Sequence, residues 1–124
     1  MARQKNLTPR ELAIMKVVWQ AGRVTVRDIH QALSSVSPVA YTTVMTLMGI
    51  LVAKGHLVRH KEERAYVYVA TKPRQQVERG LVREFLNRVF SGEAHPLLLH
   101  LVKHEKLTAK ERRELRELIE QIKD

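Results

Sequence analysis

Three capping boxes limit what this chain can fold into. Thr8-Pro9-Arg10-Glu11, Thr25-Val26-Arg27-Asp28 and Thr108-Ala109-Lys110-Glu111 each place a hydroxyl before a helix start and a carboxylate three residues later. In that pattern the hydroxyl accepts from an early helical N–H and the carboxylate accepts from the N–H of the cap, so two orphan donors are satisfied together. Pro9 also presets the first turn. Behind the first cap, Leu12, Met15, Val18 and Trp19 recur at helical spacing as far as Gly22, which predicts a helix over Pro9 to Ala21. Behind the second, Val26, Ile29 and Leu33 predict a helix of about two turns. A loop from Ser34 to Pro38 follows. Ala40, Val44, Leu47, Met48 and Leu51 then mark a third helix closed by Lys54-Gly55. Its opposite face is Thr42, Thr43, Thr46 and Gly49, which is small, uncharged and able to hydrogen-bond.

The periodicity then changes. Leu57-Val58-Arg59-His60-Lys61 and Ala65-Tyr66-Val67-Tyr68-Val69 are β-rich runs around a polar turn, Glu62-Glu63-Arg64, which predicts a hairpin. Tyr66 and Tyr68 alternate with valines, so they are expected to pack the hairpin on the body of the protein. From Lys72-Pro73 the period is helical again: Val77, Leu81, Phe85, Leu86 and Val89 lie on a helix ending near Ser91-Gly92. Another helix start is expected at Pro96, with Leu97, Leu98, Leu101 and Val102, and the third capping box opens a last helix. Three short helices followed by a hairpin is the order of a winged helix-turn-helix, in which the third helix enters the major groove and the hairpin touches the backbone.

Charge points the same way. In 124 residues, 22 Lys and Arg face 13 Asp and Glu, a net charge of +9 that favours an anionic partner. Residues 1 to 70 carry ten basic and four acidic side chains, and residues 71 to 124 carry twelve and nine, so the excess concentrates in the N-terminal part. No acid occurs from Ile29 to Lys61, while Lys54, Arg59 and Lys61 are basic, so the expected reading surface does not repel phosphate.

Other classes find little support. There is no Cys, which removes disulfide frameworks and thiolate chemistry. The polar N-terminus offers no export signal, and the apolar run Val44 to Ala53 is shorter than the roughly 20 residues that span a bilayer, so the expectation is a cytoplasmic chain without membrane insertion. No paired carboxylates, nucleophile elbow or Gly-rich phosphate loop is present, so no enzyme activity and no cofactor is expected. His100 and His104 lie four apart beside Glu105, with His95 before Pro96, a spacing zinc could use; no Glu stands between the pair and no third ligand is fixed, so no metal is assigned.

The residues resemble the penicillinase and methicillin-resistance repressors over nearly the whole chain. The resemblance rests on Leu7-Thr8-Pro9-Arg10-Glu11-Leu12, Val17-Val18-Trp19, Thr25-Val26-Arg27-Asp28, Ala40-Tyr41-Thr42-Thr43-Val44-Met45-Thr46, Lys54-Gly55-His56-Leu57-Val58-Arg59 and Arg64-Ala65-Tyr66-Val67-Tyr68. It implies a mainly α fold: a winged helix-turn-helix domain over residues 1–72, with three helices and a β-hairpin wing, and a C-terminal helical dimerisation domain over residues 73–124. It further implies a homodimeric repressor of β-lactam-resistance or related stress genes, bound to a palindromic double-stranded DNA operator. Thr43 and Thr46 would read bases, Thr42 would stand where some members carry a longer polar residue, and Arg59, Lys61 and Arg64 would hold phosphates.

In that family a protease linked to a membrane β-lactam sensor relieves repression by cutting the dimerisation region. Asn87 and the loop Ser91 to Pro96 are exposed candidates, but no bond is fixed. Gly49 and Ile50 depart from the family pattern, which has a polar and then a basic residue there; Gly inside a helix suggests close approach to DNA or to another helix. The cysteine cluster of the copper-responsive branch has no counterpart. Phe85, Leu86, Val89, Phe90, Leu97, Leu98, Leu101, Leu115, Leu118 and Ile122 are many apolar groups for short helices, and dimerisation would cover them. The alternatives are a helical protein-interaction adaptor with only generic DNA affinity, and a metal-responsive repressor.

Overall fold

The computed structural model describes residues 6–122. The element order is α1 (Pro9–Ala21), α2 (Val26–Ser34), α3 (Tyr41–Ala53), β1 (Leu57–Glu62), β2 (Ala65–Ala70), α4 (Arg74–Phe90), α5 (Ala94–His104) and α6 (Ala109–Gln121). The chain is mainly helical, with a two-stranded antiparallel sheet after the third helix, which is the winged helix-turn-helix order expected from the sequence. All three capping boxes form: Thr8, Thr25 and Thr108 accept from the backbone N–H of Glu11, Asp28 and Glu111, whose carboxylates accept from the cap N–H groups.

Helix α3 ends as its Lys54-Gly55 signal indicates. Gly55 adopts φ 87°, its N–H donates to Val52 O at 3.0 Å and the N–H of His56 donates to Leu51 O at 2.9 Å, a Schellman motif that needs the left-handed residue. The start of α5 differs from expectation. The helix opens at Ala94, with Glu93 at the cap, so Pro96 sits inside the first turn. Proline is tolerated there because the N–H it lacks has no intrahelical acceptor.

Cα packing divides the chain into two compact units, Met1–Gly80 and Leu81–Asp124, with the division inside α4. The first unit is built on one cluster: Ile14, Met15 and Val18 of α1, Val24, Ile29 of α2, Val44, Met48 and Leu51 of α3, Leu57 of β1 and Tyr68 of β2. Strand β1 pairs with β2 in the register Leu57↔Ala70 to Glu62↔Ala65. Val24 and Tyr68 exchange backbone hydrogen bonds of 3.0 and 2.7 Å, which fasten the hairpin to the helices. Trp19 Nε1 donates to Lys72 O at 3.1 Å and tethers the segment that leads into α4.

Among its described residues the second unit has no comparable core. Helices α5 and α6 contain no buried residue. Of the ten apolar residues named for dimerisation, Leu86 is buried, Phe90 and Leu97 are half-buried, and Phe85, Val89, Leu98, Leu101, Leu115, Leu118 and Ile122 are exposed. No helix among the described residues is long and apolar enough to cross a membrane.

Candidate nucleic-acid interface

The stripe that anchors α3 also orients its other side. Val44, Met48 and Leu51 are fully buried, so a 100° advance per residue turns Thr42, Thr46 and Gly49 away from the core. Thr42 and Thr46 are exposed, and Thr43 is half-buried on the flank. A Cβ added at Gly49 would meet nothing within 4 Å, so no neighbour among the described residues requires glycine there.

The wing stands beside this face. Arg59 and Lys61 pair across the sheet with Tyr68 and Tyr66, so the four side chains share one face of the hairpin. Tyr68 is buried in the core cluster, as its alternation predicts, but Tyr66 is exposed and does not pack the body. Instead the Arg59 guanidinium lies 4.5 Å from the centre of the Tyr66 ring, and Lys61 Nζ lies 5.8 Å from it. Such a contact limits the rotamers of a long cation before any ligand arrives. Arg64 is exposed in the turn that follows Glu63, whose φ of 54° is left-handed.

Between α3, the wing and the start of α2 runs an open groove of about 510 Å³, lined among others by Arg27, Tyr41, Met45, Arg59, Arg64 and Tyr66. Among the described residues, three arginines and no carboxylate line it. The ion pairs of Arg23 with Glu62, Lys54 with Glu11 and Arg74 with Glu78 use none of the groove arginines. Such a groove suits a phosphate backbone, which arginine forks can bind in bidentate fashion.

Two features escaped the sequence reading. Arg27 lies in the first turn of α2, where the helix dipole favours acids, and that mismatch is the signal the sequence offers for it. Tyr41 and Met45 are exposed apolar groups off the buried stripe of α3. One expectation needs correction. Lys54 is not part of the basic surface: its ammonium donates to Glu11 Oε1 and to Asn6 O, each at 2.8 Å, and ties the end of α3 to the start of α1. Burial alone pushes the Glu11 carboxyl up, but the Lys54 and Thr8 hydrogen bonds and the charges of Lys54 and His56 hold it below the usual glutamate range. The histidines stay as a pair, with the His100 and His104 rings 4.7 Å apart. No group of three or more metal-binding side chains occurs among the described residues.

Comparison with known proteins agrees with this geometry. The sequence pattern of the penicillinase repressor family matches residues 7–121. The penicillinase repressor of Bacillus licheniformis is 27% identical over 124 residues, covering 100% of this chain and 97% of that protein. The transcriptional regulator BlaI of Mycobacterium tuberculosis is 34% identical over 104 residues, 82% of this chain and 75% of its own. Among solved structures, the Bacillus licheniformis BlaI monomeric form in complex with the blaP half-operator superposes with a TM-score of 0.51 at 29% identity, over 60% of this chain and 92% of that one. The proteins of this group are transcriptional repressors, not enzymes. With the family pattern spanning α1 to α6, the chain belongs to the penicillinase repressor family.

Proposed function

We propose that this chain is a homodimeric, sequence-specific repressor in which residues 1–72 grip operator DNA and residues 73–124 join two protomers. Helix α3 enters a major groove with Thr43 and Thr46 toward the bases and Thr42 at the edge, while Arg27, Arg59, Lys61 and Arg64 hold the phosphates on either side. The observation that carries this reading is the acid-free arginine groove beside the uncharged outer face of α3. The half-operator complex of the Bacillus licheniformis relative supports it.

The exposed leucines of α5 and α6 support pairing with a second copy, because water-exposed apolar faces of this kind are stabilised by mutual burial. A twofold dimer reads a palindrome with half-sites about one helical turn, or a multiple, apart. Occupying a promoter blocks transcription without any chemistry. Family membership favours β-lactam-resistance or related stress genes as targets, with repression relieved when a sensor-linked protease cuts the dimerisation region.

Base reading and phosphate holding separate experimentally. Thr43→Ala with Thr46→Ala should flatten the preference between the selected sequence and its variants. Arg64→Ala should weaken binding to every sequence and lower the slope of log K against log salt by about 0.9 for the one lost phosphate contact. Unchanged sequence preference in the threonine variant removes α3 as the reader, and an unchanged slope removes the wing.

A further inference from the structure

Beside the hydrogen-bonding face of α3 lies an apolar side chain that neither the core nor the phosphate grip employs. Met45 is 51% exposed, although its neighbour Val44 and Met48 one turn on are fully buried, so the core is complete without it. It lines the groove together with Arg27, Arg59 and Arg64. Met45 directly precedes Thr46 and follows Thr42 by three positions, so its thioether sits on the rim between the groove and the outward threonines.

We propose that Met45 is a specificity-determining contact that packs on the C5-methyl of a thymine in the major groove. The proposal rests on the operator-binding reading above and names a base that α3 selects. In the major groove only thymine presents a methyl; adenine, cytosine and guanine present polar atoms at the base edge. Methionine has no strong donor or acceptor for those atoms, so facing them leaves a polar edge without a partner, whereas facing the methyl buries two apolar groups together. Discrimination therefore comes from attraction to one base and rejection of the others. The unbranched chain reorients at three bonds, which lets it follow the methyl while the threonines keep their own partners. An apolar contact releases no counterion, so its contribution does not vary with salt, unlike those of the arginines that share the groove.

The test uses the full chain and a duplex that it selects from a random pool, with each thymine replaced in turn by uracil, which removes only the methyl. At one position in each half-site the wild-type affinity should fall about 4-fold, the worth of burying one methyl-sized group. Met45→Ala should bind the parent duplex more weakly, lose that one methyl effect, keep those at any thymine facing Thr43 or Thr46, and retain the wild-type salt slope. Repeating the selection with Met45→Gln should change the preferred base at the same position to adenine, which a carboxamide can meet at N6 and N7. Uracil sensitivity that is identical in wild type and Met45→Ala overturns the proposal while leaving operator binding intact, as does a wild type indifferent to every methyl. Failure of the wild type to select any sequence overturns the operator-binding reading itself.

Discussion

The two compact units treat the same raw material differently. In the first, each of α1, α2 and α3 turns an apolar stripe into one shared cluster, and the hairpin contributes Leu57 and Tyr68 to close it. In the second, α6 has an equally complete capping box, yet α5 and α6 bury nothing, and Leu118 and Ile122 are 57% and 70% exposed. Local signals therefore specify a helix equally well in both units, but only the first has the layers needed to cover what its helices expose. The contrast separates a part that closes its own core from a part whose apolar side chains stay exposed in the single chain, and that exposure supports the proposed pairing with a second copy.

Single substitutions should act differently in the two units. The largest effect is expected in the closed unit, where Met48→Ala opens a cavity among fully buried neighbours. It should cost about 2–5 kcal/mol, read as a lower urea midpoint. Lys54→Met should follow at about 3 kcal/mol, because Glu11, only 3% exposed, is left without its cation. The dependence on pH gives the sign. In the wild type the lowered Glu11 pKa gives stability that is present above the ordinary glutamate range and is lost as pH falls through the lowered value. In Lys54→Met burial dominates and raises that pKa, so the stability gap between the two proteins should narrow as acid protonates Glu11; a gap independent of pH contradicts the pairing.

In the open unit the same chemistry should read out as association. Leu118→Ala should leave the Trp19 environment intact while weakening self-association by about 2 kcal/mol, visible in sedimentation as a dimer that dissociates at higher concentration. A variant that associates as tightly as wild type would show that this face stays uncovered in the assembly. The smallest effect is expected at Gly49, where an added methyl meets open space. Gly49→Ala should raise stability by about 1 kcal/mol from helix propensity alone. If α3 lies close to DNA at this point, the same variant binds its operator less tightly, which separates the two reasons for a mid-helix glycine.

The sequence made most of the helical framework legible because its signals are local. Caps, a terminal glycine and a buried stripe act within one or two turns: α1, α2 and α6 begin at their capping boxes, and α3 ends at Gly55. The outward placement of Thr42 and Thr46 was legible for the same reason, because the buried stripe fixes which face of α3 turns away from the core. What escaped depends on distant pairing. Lys54 looked like a member of a basic surface because Glu11 is 43 positions away in sequence, and only the packing of α1 on α3 brings the two together. Arg27, Met45 and Tyr66 became a groove only because the Val24 to Tyr68 bridge sets the wing beside α2 and α3, a long-range pairing with no periodic signature. Pro96 misled because proline in a first turn marks the neighbourhood of a helix start, not its first residue.

The proposed reading of DNA by a dimer through α3 is tested by letting the purified full chain choose among fragments of its source genome at near-physiological salt and sequencing what it retains. A dimeric reader enriches one palindrome with a fixed half-site spacing near one helical turn or a multiple of it. Retention of fragments with no shared sequence would contradict it, since the arginine groove would then bind phosphate alone and α3 would read nothing.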